Sequence, residues 1–310
     1  MTSDVCIIGG GAVGATIAYF LYRAGFSGIP VYYGREETVK TVLQQGGIRV
    51  HDRVEGVDIL VPVVPRHYES PVDECRFVFN SVKAYSVPAT MVLAEEILAS
   101  DGVLLMLQNG FGSLELAEEK FGSKAAGGVV YFGAERVSPA HIVYHGGRTI
   151  IAGSRLGLRL ELMELSRMFR LGGFEFRVVS NIDYYRWLKL ALNAVVNPLT
   201  AIARSRNRVV LTGPGLELAK LILSEFTEVA RRHGYLFEPR RLLDYIVSNV
   251  RSTADNHSSM AQDVAAGSPT EVDYINGFIA RELGREPSVN GLITLMIHLI
   301  EEGGRRDSAT

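Results

Sequence analysis

The sequence predicts an α/β chain in two parts: a doubly wound, largely parallel sheet domain over residues 1–180, then an all-α domain over residues 181–310. Three observations carry that prediction. The chain has 310 residues, more than one small domain usually packs around a single core. Short apolar runs alternate with amphipathic stretches through the first half, the pattern of parallel strands joined by crossover helices. Beyond Ser180 helical spacing alone remains, which puts the boundary near Val179–Ile182. No internal repeat is found.

Taken in order, Val5–Ile8 reads as a buried strand and Ala12–Ala24 as the helix that follows it. Pro30–Tyr33 is a second strand and Glu36–Gln45 a second helix. Further strands are expected at Ile48–Val50, Val57–Val61, Phe77–Asn80, Val103–Gln108, Ala126–Phe132, Thr149–Ala152 and Phe174–Val178. Helices are expected at Ser86–Ser100, Ser113–Lys120 and Leu158–Leu171. The second part reads as helices at Ile182–Ala203, Gly215–His233, Pro239–Ala266, Pro269–Leu283 and Val289–Glu301.

Composition narrows the function. Thirty-two basic residues against 34 acidic ones leave a formal charge of −2, which argues against a nucleic-acid binder. Two cysteines, Cys6 and Cys75, make neither a disulfide framework nor a four-thiolate zinc site, so a reduced, cytoplasmic protein is expected. Cys6 reads as a small buried hydrophobe and Cys75 as a loop residue. The histidines show no metal-ligand spacing, and no metal is expected. Val5 to Tyr22 carries no charge over 18 residues, the length of a membrane span. Yet Asp4 precedes it, and Gly9, Gly10, Gly11 and Gly14 would break a helix there. Strand, turn and helix start is the better reading, with no membrane partner.

Gly9-Gly10-Gly11-Ala12-Val13-Gly14 fits G-x-G-x-x-G between that strand and that helix. In this context the first glycine permits a tight turn, the second lets backbone approach a pyrophosphate, and the third lets helix and strand pack closely. The helix N-terminus then faces the diphosphate with free N–H groups and its positive dipole end. The first part is therefore expected to be a Rossmann-type dinucleotide domain. After the second strand, where an NAD enzyme usually shows a carboxylate, stand Gly34 and Arg35. Gly34 has no charge to repel a 2′-phosphate and Arg35 can clamp one, which points to NADPH. Glu36 is expected to face solvent.

The richest segment is Trp187 to Pro198. Lys189, Asn193 and Asn197 stand at i, i+4 and i+8 among apolar neighbours, so one polar stripe lies on an otherwise buried helix. Buried polar groups need partners, and burial lowers a lysine's pKa toward the range useful for proton transfer. A second constellation runs from Asn256 through Ser259 to Asp263, expected on one helix face, and on to Glu271. Spacing alone reads Glu271 equally well as part of a capping box with Ser268 and Pro269.

With these motifs in view, the whole chain resembles the ketopantoate reductases (2-dehydropantoate 2-reductases). The resemblance rests on the glycine motif, Gly34-Arg35, Asn80-Ser-Val-Lys83, Leu107-Gln-Asn109-Gly110 and Phe132-Gly-Ala134. It continues through Trp187 to Ala201, Ser258-Ser-Met-Ala-Gln-Asp263 and Thr270-Glu-Val-Asp-Tyr-Ile-Asn-Gly277. It implies NADPH-dependent reduction of 2-dehydropantoate to pantoate, a step of pantothenate and coenzyme A biosynthesis. By the same resemblance Lys189 is the proton donor, and Glu271 holds the substrate hydroxyl near the nicotinamide. Asn193, Asn197, Asn207, Asn256 and Ser259 match substrate-binding positions, while Asn109 lies between cofactor and substrate. Lys83 and Ala134 match cofactor positions. A homodimer through the helical domain is the family expectation. The family commonly has glycine after the fourth asparagine, whereas Arg208 follows Asn207 here, and the usual turn is not evident. Arg204, Arg206 and Arg208 read as a solvated basic rim. Opine-type or hydroxyacid-type dehydrogenases share this architecture, and a non-catalytic NADPH-sensing protein is the alternative of a different class.

Overall fold

The computed structural model describes residues 2–157 and 160–307. Leu158 and Arg159, the first two residues of an expected helix, lie outside the described residues. The chain divides into two compact units, Met1–Gln108 with Gly112–Asp183, and Asn109–Phe111 with Tyr184–Thr310.

The first unit is a sheet domain. Its elements in order are β1 (Thr2–Ile8), α1 (Ala12–Arg23), β2 (Ile29–Tyr33), α2 (Glu36–Gln45), β3 (Ile48–Asp52), β4 (Val57–Val61), β5 (Val63–His67) and β6 (Glu74–Asn80). There follow α3 (Val87–Ile97), β7 (Leu98–Met106), α4 (Ser113–Phe121), β8 (Ala125–Ser138), β9 (His141–Gly153), α5 (Leu160–Leu171) and β10 (Glu175–Val178). The sheet order is β4-β3-β9-β8-β7-β6-β1-β2-β5, with β10 beside β9. Pairing is parallel except for β3 with β4 and β8 with β9. Strand β9 is long enough for residues 141–144 to pair β3 and residues 149–152 to pair β10.

Strands β4 and β5 stand at opposite ends of that order, yet only Pro62 separates them in the chain. The sheet must curl until its two edges approach each other. Helix α1 lies inside the curl, packed on β1, β3, β4, β8 and β9 and on α5. A helix so enclosed has to be apolar all round, and Gly14–Leu21 are eight consecutive buried residues. Ile17, Phe20 and Leu21 each contribute about 1.5–3 kcal/mol by leaving water. The two polar side chains among the eight are satisfied. Thr16 donates to the Ala12 carbonyl at 2.7 Å, and Tyr19 donates to Asp52 at 2.9 Å. Asp52, itself fully buried, also accepts the N–H groups of Val54 and Glu55. Strand β5 departs from the sequence reading, which has no strand there. Pro65 obscures it, and an edge strand accommodates the missing donor.

Cys75 lies on β6 and not in a loop. Strands β1 and β6 are paired neighbours, and fully buried Cys6 and Cys75 are joined as a disulfide with Cα atoms 5.8 Å apart. The reduced pair read from the cysteine count is corrected accordingly: two cysteines suffice when neighbouring strands bring them together.

The second unit is helical: α6 (Ile182–Ile202), α7 (Gly213–Arg232), α8 (Pro239–Ser252), α9 (Ser259–Ala265), α10 (Asn276–Leu283) and α11 (Val289–Asp307). Three sequence readings are corrected. The helix expected over Pro239–Ala266 is two, α8 and α9, because the Ser258 hydroxyl accepts the Ala261 N–H at 3.1 Å and starts a new helix. The helix expected from Pro269 is a 3₁₀ turn at Val272–Tyr274 followed by α10. The turn not evident after Asn207 is present as a 3₁₀ helix over Asn207–Leu211. The unit closes around Trp187, Phe226, Ile246, Ile279 and Ile297, all buried. No helix among the described residues is long and apolar enough to cross a membrane.

Candidate active site

In the sheet unit the glycine loop joins β1 to α1. Gly9 has φ +95° and donates its N–H to the Tyr32 carbonyl at 2.9 Å. A Cβ at Gly10 would overlap the Tyr33 ring, and one at Gly14 would overlap the Gly9 carbonyl. Ser81, just past β6, locks the loop by donating to the Gly9 carbonyl at 2.6 Å. Gly11, the N-cap of α1, differs from these: no atom lies within 4 Å of where its Cβ would be. The backbone there is open, so the packed glycines shape the turn and Gly11 leaves space for a ligand. Ala12 and Val13 open the helix.

Gly34 and Arg35 follow β2. Both are exposed, and Arg35 is the N-cap of α2. Glu36 is exposed and 3.4 Å from Lys40, so it faces solvent. Lys83 precedes a 3₁₀ turn after β6, and Ala134 lies on β8 opposite Tyr144. Gln108 donates to Asn80 Oδ1 and to the Asn80 and Val82 carbonyls, bracing the ends of β6 and β7. Ser81 and Gln108 lie within the stretches Asn80–Lys83 and Leu107–Gly110, but periodicity gives neither a bracing role, which depends on partners distant in the chain.

The helical unit gathers side chains. Asn109 belongs to it, because Gly110 and Phe111 dock against the 3₁₀ turn at 272–274. Gly110 has φ +79° and no room for a Cβ against the Tyr274 carbonyl, and Phe111 donates its N–H to that same carbonyl at 3.1 Å. The Phe111 ring stacks on Phe278 at 4.9 Å, and the buried Arg186 guanidinium covers it at 4.2 Å. So held, Asn109 donates to Glu271 at 3.0 Å and accepts from Asn193 at 3.1 Å. Glu271 is 5% exposed and turned toward Asn109, which removes the capping-box reading: no helix begins at Pro269 for it to cap.

Helix α6 carries Lys189, Asn193 and Asn197 one turn apart, with Asn193 and Asn197 buried. Burial pulls the Lys189 ammonium down to about 8. Pro198 stands inside this helix and withholds the N–H that the Ala194 carbonyl would receive. Asn276 replaces it, donating to Ala194 O at 3.0 Å while a second bond reaches Asn290 Oδ1 at 2.9 Å. Asn290 in turn donates to Glu225 at 2.7 Å. A polar chain through the core thus holds α6 at the level of its stripe.

The second constellation is split. Asn256 precedes α9 and does not share a helix face with Ser259 and Asp263, and both Asn256 and Ser259 are exposed. The buried residue is Ser258, whose hydroxyl lies 2.6 Å from that of Thr200 on α6 and so ties α9 to it. Asn207 is buried, donates to the Thr253 carbonyl at 3.1 Å, and keeps its Oδ1 buried without a hydrogen-bond partner. Arg206 and Arg208 both pair with Asp255, on its carbonyl and carboxylate respectively, which accounts for most of the basic rim.

Residues 5–157 match the model of the family described as ketopantoate reductase PanE/ApbA, and residues 181–301 match that of its C-terminal domain. A 2-dehydropantoate 2-reductase of Archaeoglobus fulgidus is 32% identical over 310 aligned positions, covering 96% of this chain and 98% of that protein. Among solved structures, a PanE/ApbA family ketopantoate reductase from Ralstonia eutropha JMP134 superposes with a TM-score of 0.86 at 26% identity, covering 98% of this chain and 100% of that one. A D-mandelate dehydrogenase solved with NADH and anilino(oxo)acetate has the same fold, at TM-score 0.89, 20% identity and coverage of 98% and 99%. Glycine loop, lysine–asparagine helix and the two family matches agree, and the chain belongs to the ketopantoate reductase family.

Proposed function

We propose that this protein reduces 2-dehydropantoate to pantoate with NADPH, a step of pantothenate and coenzyme A biosynthesis. The observation that carries the reading is the hydrogen-bonded chain Glu271–Asn109–Asn193 beside Lys189 on the same helix. The loop Gly9–Gly14 fits a dinucleotide, with Gly11 leaving room for its diphosphate and the α1 N–H groups facing it. Arg35 holds the 2′-phosphate, and Lys83 and Ala134 complete the cofactor contacts. A bound nicotinamide supplies hydride to C2 of the keto acid.

The protein's own groups handle the oxygen. Negative charge grows on that oxygen as C2 is reduced, and the Lys189 ammonium stabilises it and then gives up a proton. A desolvated lysine near 8 suits a proton donor, since it stays protonated at neutral pH yet releases its proton more readily than an exposed one. Glu271, oriented by the Asn109 amide, accepts the substrate hydroxyl. Asn193 and Asn197 bind along the α6 stripe, and Asn207, Asn256 and Ser259 take the remaining polar groups of the substrate.

Steady-state assay of 2-dehydropantoate with each nicotinamide cofactor tests the reading, and turnover faster with NADPH is expected. No turnover with either cofactor overturns it. The likeness in fold to a D-mandelate dehydrogenase makes hydroxyacid oxidation the competing activity, which D-mandelate with NAD⁺ or NADP⁺ checks. A homodimer through the helical unit belongs to the same proposal. The exposed row Leu292, Leu295, Met296 and Leu299 on α11 supports it, and sedimentation of Leu295→Glu as a monomer is expected.

A further inference from the structure

Glu271 is placed by its neighbours in sequence, and both flanks are held from behind by α11. On one side the Thr270 N–H donates to Glu301 Oε1 at 2.7 Å. On the other side Asp273 Oδ1 lies 3.1 Å from Nε2 of His298. The circuit closes on the same imidazole, whose Nδ1 lies 3.1 Å from Glu301 Oε2. Thr270, Glu301, His298 and Asp273 therefore form one loop of contacts that straddles Glu271.

The protonation state of His298 decides whether that loop holds. A neutral imidazole has one N–H and one lone pair, so it can donate to Glu301 or to Asp273 but not to both. Its other nitrogen would then set a lone pair against a carboxylate oxygen. Only the imidazolium donates at both ends. We propose that His298 is a positioning residue for Glu271: charged, it clamps the 270–273 segment between Glu301 and Asp273, and neutral, it releases one flank.

Surrounding charges agree. Burial of the ring works against charging it, but the hydrogen bonds to Glu301 and Asp273 outweigh this and the pKa stands above the ordinary imidazole value. The clamp is therefore complete at low pH and is lost as pH rises through that raised value. From α10, Arg281 donates to the Asp273 carbonyl at 2.9 Å, and Glu282 is engaged by His233. From α7, Glu225 accepts the N–H groups of Val289 and Asn290, while Glu228 binds Arg232 and Arg285. The one charged residue of α9, which also packs on α11, is Asp263. Among the described contacts, Asp273 and Glu301 are the carboxylates within hydrogen-bond distance of the ring.

The role given to Glu271 rests on the proposed reductase activity, so the test pairs a measurement that needs no substrate with one that does. Hydrogen exchange of the 270–275 segment, corrected for the intrinsic rate, is followed at about pH 6 and about pH 8.5 in the native protein, His298→Gln and His298→Lys. The native segment is expected to exchange roughly fivefold faster at the higher pH, a coupling of ordinary size. The glutamine variant exchanges fast at both pH values, and the lysine variant, still cationic throughout, exchanges slowly at both. At about pH 6, where Lys189 is charged in all three proteins, the KM for 2-dehydropantoate is raised in the glutamine variant and near native in the lysine variant, with kcat less affected. Exchange in the native protein that does not change with pH overturns the clamp, and needs no variant to fold. So does a glutamine variant that keeps the native pH dependence. Failure of 2-dehydropantoate turnover would count against the reductase reading alone, because exchange still decides the clamp.

Discussion

Helices α1 and α6 are both deeply buried, and they use burial in opposite ways. Helix α1 presents eight consecutive buried residues to the sheet curled around it, and the role proposed for it is confined to the backbone at its N-terminal end. The role proposed for helix α6 lies midway along, in side chains on one stripe of a helix that buries Trp187, Leu190, Ala194 and Val195. A site made of backbone is spoiled by adding atoms. A site made of side chains is spoiled by removing them, and it needs a supporting network, which Asn276, Asn290 and Glu225 supply.

The sharpest way to break the contrast is at Lys189. Lys189→Ala is expected to cut turnover by about 100-fold or more, the scale of a lost general acid, with cofactor affinity unchanged. Stopped-flow and cofactor titration together check this. The pH profile carries the same signature: turnover falls above about 8 as the lysine deprotonates. Stability moves the other way. The folded pKa lies below the unfolded one, so the unfolded chain holds the extra proton between them and stability rises with pH from about 8 upward.

In the glycine loop the expected damage comes from addition. Gly14→Ala collides with the Gly9 carbonyl and should cost about 1–3 kcal/mol of stability as well as cofactor binding. Gly11→Ala meets no atom within 4 Å, so thermal melting should be unchanged while cofactor affinity falls. A Gly11 variant that binds the dinucleotide normally would remove that residue from the cradle. A smaller effect, about tenfold, is expected for Arg35→Ala, on NADPH only, for the loss of one exposed charge-assisted contact. Equal weakening of NADH would reject its role at the 2′-phosphate. Asn276→Ala should lower stability by about 1–3 kcal/mol, because the Ala194 carbonyl opposite Pro198 loses its donor, and turnover of the folded fraction should fall modestly as α6 loses that support. Denaturant melts measure the stability loss.

Much of the fold is legible in the chain. Helix α2 and strand β4 begin and end where their apolar spacing places them, at Glu36–Gln45 and Val57–Val61. The 3.6-residue rule puts Lys189, Asn193 and Asn197 on one face without any structure. What escapes the sequence depends on partners far away in the chain. Val63–His67 is a strand because β2 offers it an edge, not because of its own pattern. Glu271 looks like a helix cap until Asn109, 162 positions earlier, gives it another partner. The break between α8 and α9 is set by Ser258, which also reaches Thr200.

The sequence by itself determined the periodicities, and through them a sheet-forming half, a helical half, the glycine turn and the polar stripe. Local sterics and the burial of apolar faces are enough for that, since both act between near neighbours. Tertiary structure alone decided which distant groups meet: the sheet curled around α1, the two cysteines joined, Asn109 docked with the helical unit, and His298 set between Glu301 and Asp273. Those contacts form only when packing has brought distant segments side by side. Where that packing also excludes water, as at Asn109 and Glu271, a hydrogen bond between residues far apart in sequence gains strength, and no local pattern records it.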